Sequence, residues 1–261
     1  FQMLTEQQLA DFEKLGVIRL PGAIAREDAE VMGEQMWNVL GQFGAQKEDR
    51  ATWVEIKQSK FKKIIDAGAF NKIESATVCA ALDELFGEGE WIKPDVWPSG
   101  ILFNIPRDEQ WDVPTGGWHI DSPVSLQTHP LHFLAYFTFL NTVKAGGGGT
   151  LIVTGSHHIV RDIITQPDAR PKIRSNDMKK ILIRTEPWMQ DLFSDAAFEN
   201  RIEKFMTESI SENGHALRVM ELTGEPGDVF LMHPWLLHTS MSNINDTPRM
   251  MLLNFMHGIP D

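Results

Sequence analysis

Apolar residues recur at helical spacing through the first third of the chain and fall into short, strand-like runs through the rest. Leu9, Phe12 and Leu15 are three apart. They follow a Thr5/Gln8 pair of the kind that caps a helix start reciprocally, and Gly16 can close the last turn in a left-handed conformation. A short amphipathic helix is predicted there. Residues 17–20 read as a strand ended by Pro21-Gly22, and Ala29, Met32, Met36, Val39, Leu40 and Phe43 mark one face of a second helix. Residues 44–58 are polar and weakly patterned. Two more helical stretches are predicted over 59–66 and 75–86, the latter capped by Ser75 with Val78, Cys79, Leu82 and Leu85 on one face. The methionines in these stripes read as adaptable core filler.

From residue 91 the runs shorten and are punctuated by Pro, Gly, Asn and Asp. Strands are predicted over 91–97, 101–105, 132–140, 150–153, 216–222, 229–232 and 249–256, all rich in branched or aromatic residues. Short strands without alternating helices imply an antiparallel sandwich or barrel. A polar, charged stretch of helical character over 157–213 interrupts the series and is expected to cover one mouth of that barrel. The chain reads as one domain over 1–261: a mainly helical part, 1–90, packing on a β core, 91–261. Phe1 and Gln2 before Met3 read as the remnant of an expression-tag protease site.

Composition narrows the function classes. With 24 Lys plus Arg against 36 Asp plus Glu, the net charge is −12, which argues against nucleic acid as a partner because phosphate contacts need a cationic surface. An apolar share of 42% supplies a sizeable core and excludes a disordered chain. Cys79 is the only cysteine, so there is no internal disulfide and no multi-cysteine zinc site, and a reducing, cytoplasmic setting fits. The longest nearly apolar run, 131–140, contains His132 and is far short of the roughly 18 residues of a spanning helix. Glu6, Asp11 and Glu13 stand where a signal peptide would need a basic and then an apolar segment.

Nine histidines direct the search for chemistry, because imidazole binds transition metals and moves protons near neutral pH. His129, His132, His215 and His257 stand alone in loops or at strand ends. His157 and His158 are adjacent, so on a strand they would point to opposite faces, and a turn or capping role suits them better than a metal pair. His119-Ile120-Asp121 is sharper. On a strand, residues two apart share a face, so an imidazole and a carboxylate arrive side by side. A second imidazole can come from the stretch 227–238, read as a turn, an apolar strand and then His238, with Ser240 and Arg249 beyond; His233 is a rival. Two imidazoles and one carboxylate on one side of a metal leave positions free for a chelating co-substrate and dioxygen, the arrangement used for non-haem Fe(II). A zinc hydrolase would want a separate general base.

In this order and spacing the marks are specific: the opening 4–22, Trp118-His119-Ile120-Asp121, Gly149-Thr150-Leu151 through Gly155-Ser156-His157, and Gly227-Asp228-Val229 through His238, Ser240 and Arg249. The chain resembles, over nearly its whole length, the phytanoyl-CoA dioxygenase family of Fe(II)/2-oxoglutarate-dependent oxygenases. The resemblance implies a mainly β fold with flanking helices, a double-stranded β-helix or cupin-like jelly-roll core of about eight main strands. It implies Fe(II), 2-oxoglutarate and O2 as cofactor and co-substrates, with His119, Asp121 and His238 as iron ligands. It also matches Arg249 to the partner of the distal carboxylate of 2-oxoglutarate, with Ser240 in support. A planar, bidentate guanidinium suits a buried carboxylate better than lysine does. Asn104 and Thr138 are further polar contacts expected for the co-substrate, unless strand parity turns them outward and makes Tyr136 or Phe137 the lining residue.

Asp121 bears on the reaction, since related halogenases lack this carboxylate; its presence favours hydroxylation of a C–H bond in a small organic substrate, with release of succinate and CO2. Trp97, Trp111, Trp118, Phe103 and Trp235 are candidate substrate liners, core packing being the alternative. Arg107 is either a grip on an anionic substrate or a solvated loop arginine. The chain departs from the family at Thr154, where proline is common, and at Gly146-Gly147-Gly148-Gly149, where Glu-Asn-Gly is commoner. These departures bear on substrate, not on the metal. A jelly-roll that binds a metal or small molecule without turnover, as a sensor, and a zinc hydrolase are the other readings; Arg249 with Ser240 separates the oxygenase from the first, since a plain metal-binding barrel needs no carboxylate clamp, and a zinc hydrolase would retain activity under argon.

Overall fold

The computed structural model describes residues 4–98, 100–125, 131–195 and 200–259. His129 and the first three residues lie outside them. The helices are α1 (Glu6–Leu15), α2 (Arg26–Gly41), α3 (Lys62–Asp66), α4 (Ala76–Phe86), α5 (Ser156–Ile164), α6 (Ser175–Thr185), α7 (Pro187–Leu192) and α8 (Arg201–Met206). The strands are β1 (Val17–Leu20), β2 (Trp91–Ile92), β3 (Gly100–Asn104), β4 (Val124–Ser125), β5 (Phe133–Phe139), β6 (Leu151–Thr154), β7 (Lys172–Ile173), β8 (Ser209–Ile210), β9 (Ala216–Glu221), β10 (Val229–Met232), β11 (His238–Thr239) and β12 (Arg249–Gly258). None of the helices among the described residues is long and apolar enough to cross a membrane.

Local chemistry accounts for the N-terminal elements. Thr5 and Gln8 form the reciprocal cap of α1, and Gly16 ends it at φ 80°, where a side chain would be strained. Ser75 caps α4 by accepting the Val78 amide. Phe43 departs from its predicted face: α2 ends at Gly41, and Phe43 beyond it is 43% exposed. The predicted strand over 91–97 shrinks to β2.

Two antiparallel sheets face each other as a jelly-roll. The larger runs β1-β10-β5-β12-β2, with β3 also on β12, and the smaller runs β11-β6-β9-β8. Strand parity splits β5 between two environments. Ala135, Phe137 and Phe139 point between the sheets, where they meet Val17, Ile152, Leu222, Phe230 and Met251. Leu134 and Tyr136 point the other way, into a cluster with Ile18, Met32, Met36, Leu40, Val78 and Leu82 under the N-terminal helices. A third cluster joins Leu151, Val153, Leu217 and Val219 of the smaller sheet to Ile159, Met178, Leu182 and Leu192 of α5–α7. The smaller sheet is thereby covered by the helices that intervene between β6 and β9.

Candidate metal centre

His119 is not part of a regular strand. It makes a single antiparallel bridge to His238, in which each residue's amide donates to the other's carbonyl, at 2.9 and 3.0 Å. Residues paired this way project from one face of a sheet, so the two imidazoles lie side by side, ring centroids 4.3 Å apart. His238 pairs in turn with Ile152 of β6, whose side chain lies between the sheets, and this sets both rings on the interior side. Asp121, two residues after His119, brings Oδ1 to 3.7 Å from His119 Nε2 and 3.4 Å from His238 Nε2. The three donors lie within 4.8 Å of one another, the one such group of three or more among the described residues.

Both imidazoles are oriented by backbone. His119 Nδ1 donates to the Gly117 carbonyl at 2.8 Å, and His238 Nδ1 donates to the Leu236 carbonyl at 2.9 Å. A carbonyl can only accept, so Nδ1 carries the proton in each ring and Nε2 keeps its lone pair facing Asp121. This is the outer-shell arrangement that holds a metal-binding histidine. Burial, and then the neighbouring His238, hold the His119 imidazole below its ordinary value, with the charge of Lys179 acting the same way. Half of the His119 side-chain surface is open, against 7% for His238, so access is from the His119 side. Gly117 makes the close approach possible: its φ is +80°, and a Cβ there would lie 2.6 Å from Thr239 Oγ1.

Arg249 and Asn104 are cross-strand partners on β12 and β3, and with Ser240 they line a cavity of about 390 Å³ that also meets Met241, Ser242, Glu55, Ile56, Phe103 and Arg107. Arg249 is buried. Its Nη1 donates to the Gly148 carbonyl at 2.5 Å, while its buried Nε has no hydrogen-bond partner among the described residues. Burial lowers the guanidinium to about 10, opposed by the charge of Glu221, which leaves it a cation at neutral pH. An orphaned N–H beside a polar cavity is what a carboxylate ligand would satisfy.

Of the remaining candidates, Asn104, Phe103 and Arg107 border the Arg249 cavity and the others lie apart from it. Thr138 pairs with Val229 and Leu252, both in the cluster beneath the N-terminal helices, so it faces away from the triad. Tyr136 shares that side and donates its hydroxyl to the Ile73 carbonyl; Phe137 is the interior residue of the strand. Phe103, opposite Met250, also turns toward the helices. Asn104 gives its amide N–H to the Met241 carbonyl at 2.6 Å. Trp118 and Trp235 are 0% and 1% exposed in the cluster under α5–α7, and Trp97 packs edge-on to Tyr136; these three are core. Trp111 packs against the α5–α7 cluster. Arg107 pairs with Glu55 at 2.6 Å on the surface. His233 accepts the Trp235 amide and lies tilted against His157, ring centroids 5.0 Å apart, outside the convergent group. Two contributors escaped the sequence reading: Glu221, whose carboxylate accepts the Gly146 and Gly149 amides, and Asn243, whose amide donates to the Asn104 and Thr247 carbonyls. A lone acidic residue ending an apolar strand was the available signal for the first.

A jelly-roll with two imidazoles and a carboxylate converging at its open side, and a buried arginine left with a spare donor, has the form of a mononuclear non-haem iron oxygenase. The chain belongs to the phytanoyl-CoA dioxygenase (PhyH) family, whose model it matches over residues 12–251. It is accordingly an Fe(II)/2-oxoglutarate-dependent oxygenase, with O2 as oxidant. Among solved structures, the fold is similar to that of SnoK, a non-heme alpha-ketoglutarate-dependent carbocyclase from nogalamycin biosynthesis. The two share 16% identity at a TM-score of 0.57, over 97% of this chain and 84% of SnoK. AviO1 from Streptomyces viridochromogenes Tue57 has 16% identity and a TM-score of 0.54 over 98% of this chain and 96% of its own. EvdO2 from Micromonospora carbonacea var. aurantiaca, solved with 2-oxoglutarate, has 13% identity and a TM-score of 0.51 over 99% and 92%. Compared with curated protein sequences, the chain finds no match.

Proposed function

We propose that His119, Asp121 and His238 hold the iron, that Arg249 with Ser240 receives the distal carboxylate of 2-oxoglutarate, and that the reaction is hydroxylation of a C–H bond in a small organic molecule. The observation that carries this reading is the convergence of three donors within 4.8 Å with both Nδ1 protons tied to backbone carbonyls. The residues fit these groups on their own chemistry: neutral Nε2 lone pairs and a carboxylate suit a ferrous ion, and the orphaned Arg249 Nε suits a carboxylate. When bound, iron and 2-oxoglutarate together supply the oxidising power. The protein's part is to hold the two rings and the carboxylate on one side, leave the exposed side of His119 to the substrate, and bury the far end of the co-substrate. Asp121 fills the position whose loss would open a site for halide, which favours hydroxylation. The N-terminal helices and the larger sheet share one cluster, which supports reading the chain as one folded unit. A single cysteine supports a cytoplasmic setting, and the charge of −12 supports a small molecule rather than nucleic acid as partner.

The test is oxygen uptake and succinate release from protein given Fe(II), ascorbate and 2-oxoglutarate, against a library of small acids and amines. We expect at least one member to accelerate succinate release and to gain one oxygen atom, with no turnover under argon. Absence of any Fe(II)-dependent absorbance band with 2-oxoglutarate under anaerobic conditions, and of any succinate, would reject the reading.

A further inference from the structure

The four-glycine run at 146–149, a departure from the family pattern, connects two buried charges of opposite sign. The Glu221 carboxylate, at the end of β9, accepts the Gly146 amide at 2.8 Å through Oε2 and the Gly149 amide at 3.0 Å through Oε1. The carbonyl of Gly148, inside the same turn, accepts Arg249 Nη1 at 2.5 Å. No larger residue fits this turn. Gly146 and Gly148 have φ of +77° and +76°; a Cβ on Gly148 would lie 2.6 Å from Asn104 Nδ2, and one on Gly149 would lie 2.2 Å from the Leu222 carbonyl oxygen. Gly147 is bridged to Asn243, which ties the turn to the segment between Ser240 and Arg249. Glu221 is 9% exposed and both its oxygens are engaged; burial pushes its carboxyl up, opposed by the glycine amides and by Arg249.

We infer that Glu221 is a positioning residue for the co-substrate: it fixes the glycine turn whose Gly148 carbonyl holds one edge of Arg249, so that the guanidinium's remaining Nε side stays aimed at a carboxylate. A guanidinium has two edges able to meet a carboxylate in parallel. Committing Nη1 to a rigid carbonyl leaves the Nε side as the one available, and fixes its direction before ligand arrives. The carboxylate also balances a buried cation across the turn, which a neutral residue would not do. This inference rests on the proposed role of Arg249 and adds to it a residue on another strand that contacts neither metal nor co-substrate.

The experiment measures 2-oxoglutarate affinity by calorimetry on Mn(II)-loaded, full-length protein, where no turnover occurs. Mn(II) affinity and thermal melts are recorded alongside. Glu221→Gln turns one acceptor into a donor facing an amide, and we expect it to raise the Kd for 2-oxoglutarate about tenfold while the Mn(II) Kd stays within about twofold. Glu221→Asp keeps the charge, reaches less far, and should lose less. In an Arg249→Lys background, Glu221→Gln should add little, because both changes act on one clamp. A folded Glu221→Gln variant with wild-type 2-oxoglutarate affinity would overturn the inference, as would equal losses of Mn(II) and 2-oxoglutarate binding. If Glu221→Gln does not fold, Glu221→Asp is judged by the same two criteria. Wild-type protein that does not bind 2-oxoglutarate, or binding indifferent to Arg249→Lys, would overturn the underlying reading as well; binding that needs Arg249 but ignores Glu221 would overturn this inference alone.

Discussion

Asp121 stands between two imidazoles, its Oδ1 at 3.4 and 3.7 Å from their Nε2 atoms, and none of the three side chains belongs to the apolar clusters. Their removal should therefore leave packing intact. His119→Ala and Asp121→Ala are each expected to abolish succinate release and to weaken Fe(II) binding, with a melting temperature within a few degrees of wild type. Normal turnover in either variant would count against the assignment. Arg249 is different, because it is buried and charged. Arg249→Lys keeps the charge but loses the parallel pair of donors. A charge-assisted bond contributes about 1.5–3 kcal/mol, so the KM for 2-oxoglutarate should rise on the order of tenfold to a hundredfold, with a smaller change in kcat. Steady-state kinetics at varied 2-oxoglutarate checks it; a loss confined to kcat would mean that the arginine serves something else. At this scale residue identity was readable in advance. His119, Asp121, His238 and Arg249 carry chemistry that few other side chains offer, whereas whether Thr138 faced in or out depended on a parity that residue type does not encode.

Elements carried by local signals were legible and those made by pairing were not. The Thr5/Gln8 cap, the Gly16 terminator and the apolar run of β10 announce themselves within a few residues. β11, the two-residue strand that bears His238, has no such signal: it exists because His238 and Thr239 pair with Ile152 and Leu151, more than eighty positions earlier. The sequence placed His238 at the exit of the preceding strand; in the fold, β10 lies in the larger sheet and β11 in the smaller. His119 likewise has a bridge in place of the expected strand. That bridge depends on the left-handed Gly117, so Gly117→Ala should destabilise by about 1 kcal/mol or more and displace the His119 ring. The expected outcome is a melting temperature lowered by a few degrees, together with weaker Fe(II) binding. Unchanged metal affinity in the melted-down variant would show that the turn supports the fold alone.

The whole molecule holds a second set of histidines outside the proposed metal site. His157 donates from Nε2 to the Glu13 carbonyl of α1 and lies 5.0 Å, ring to ring, from His233. Burial pushes the His157 imidazole down to about 3 and holds His233 well below its ordinary value. Because both groups bind protons more weakly in the folded chain than in the unfolded one, the stability they contribute is complete above about pH 6.5 and is lost as pH falls below it. Within that window each group costs about 1.4 kcal/mol per pH unit. Urea midpoints should therefore drop between pH 7 and pH 5, and His157→Gln, which keeps a donor for Glu13 without a titrating proton, should reduce the drop. Identical slopes in the two proteins would remove His157 from the account.

Taken alone, the order of residues determined the kind of chemistry, the helical and β halves, and the set of groups able to bind a metal and a carboxylate, because each of these follows from side-chain type and short-range spacing. Only the tertiary structure decided which tryptophans are core, which face of β5 meets the interior, and that a glutamate on β9 reaches Arg249 through a turn of glycines. Those facts depend on sheet register and on contacts between distant segments, and one residue's shift in register would reverse every facing.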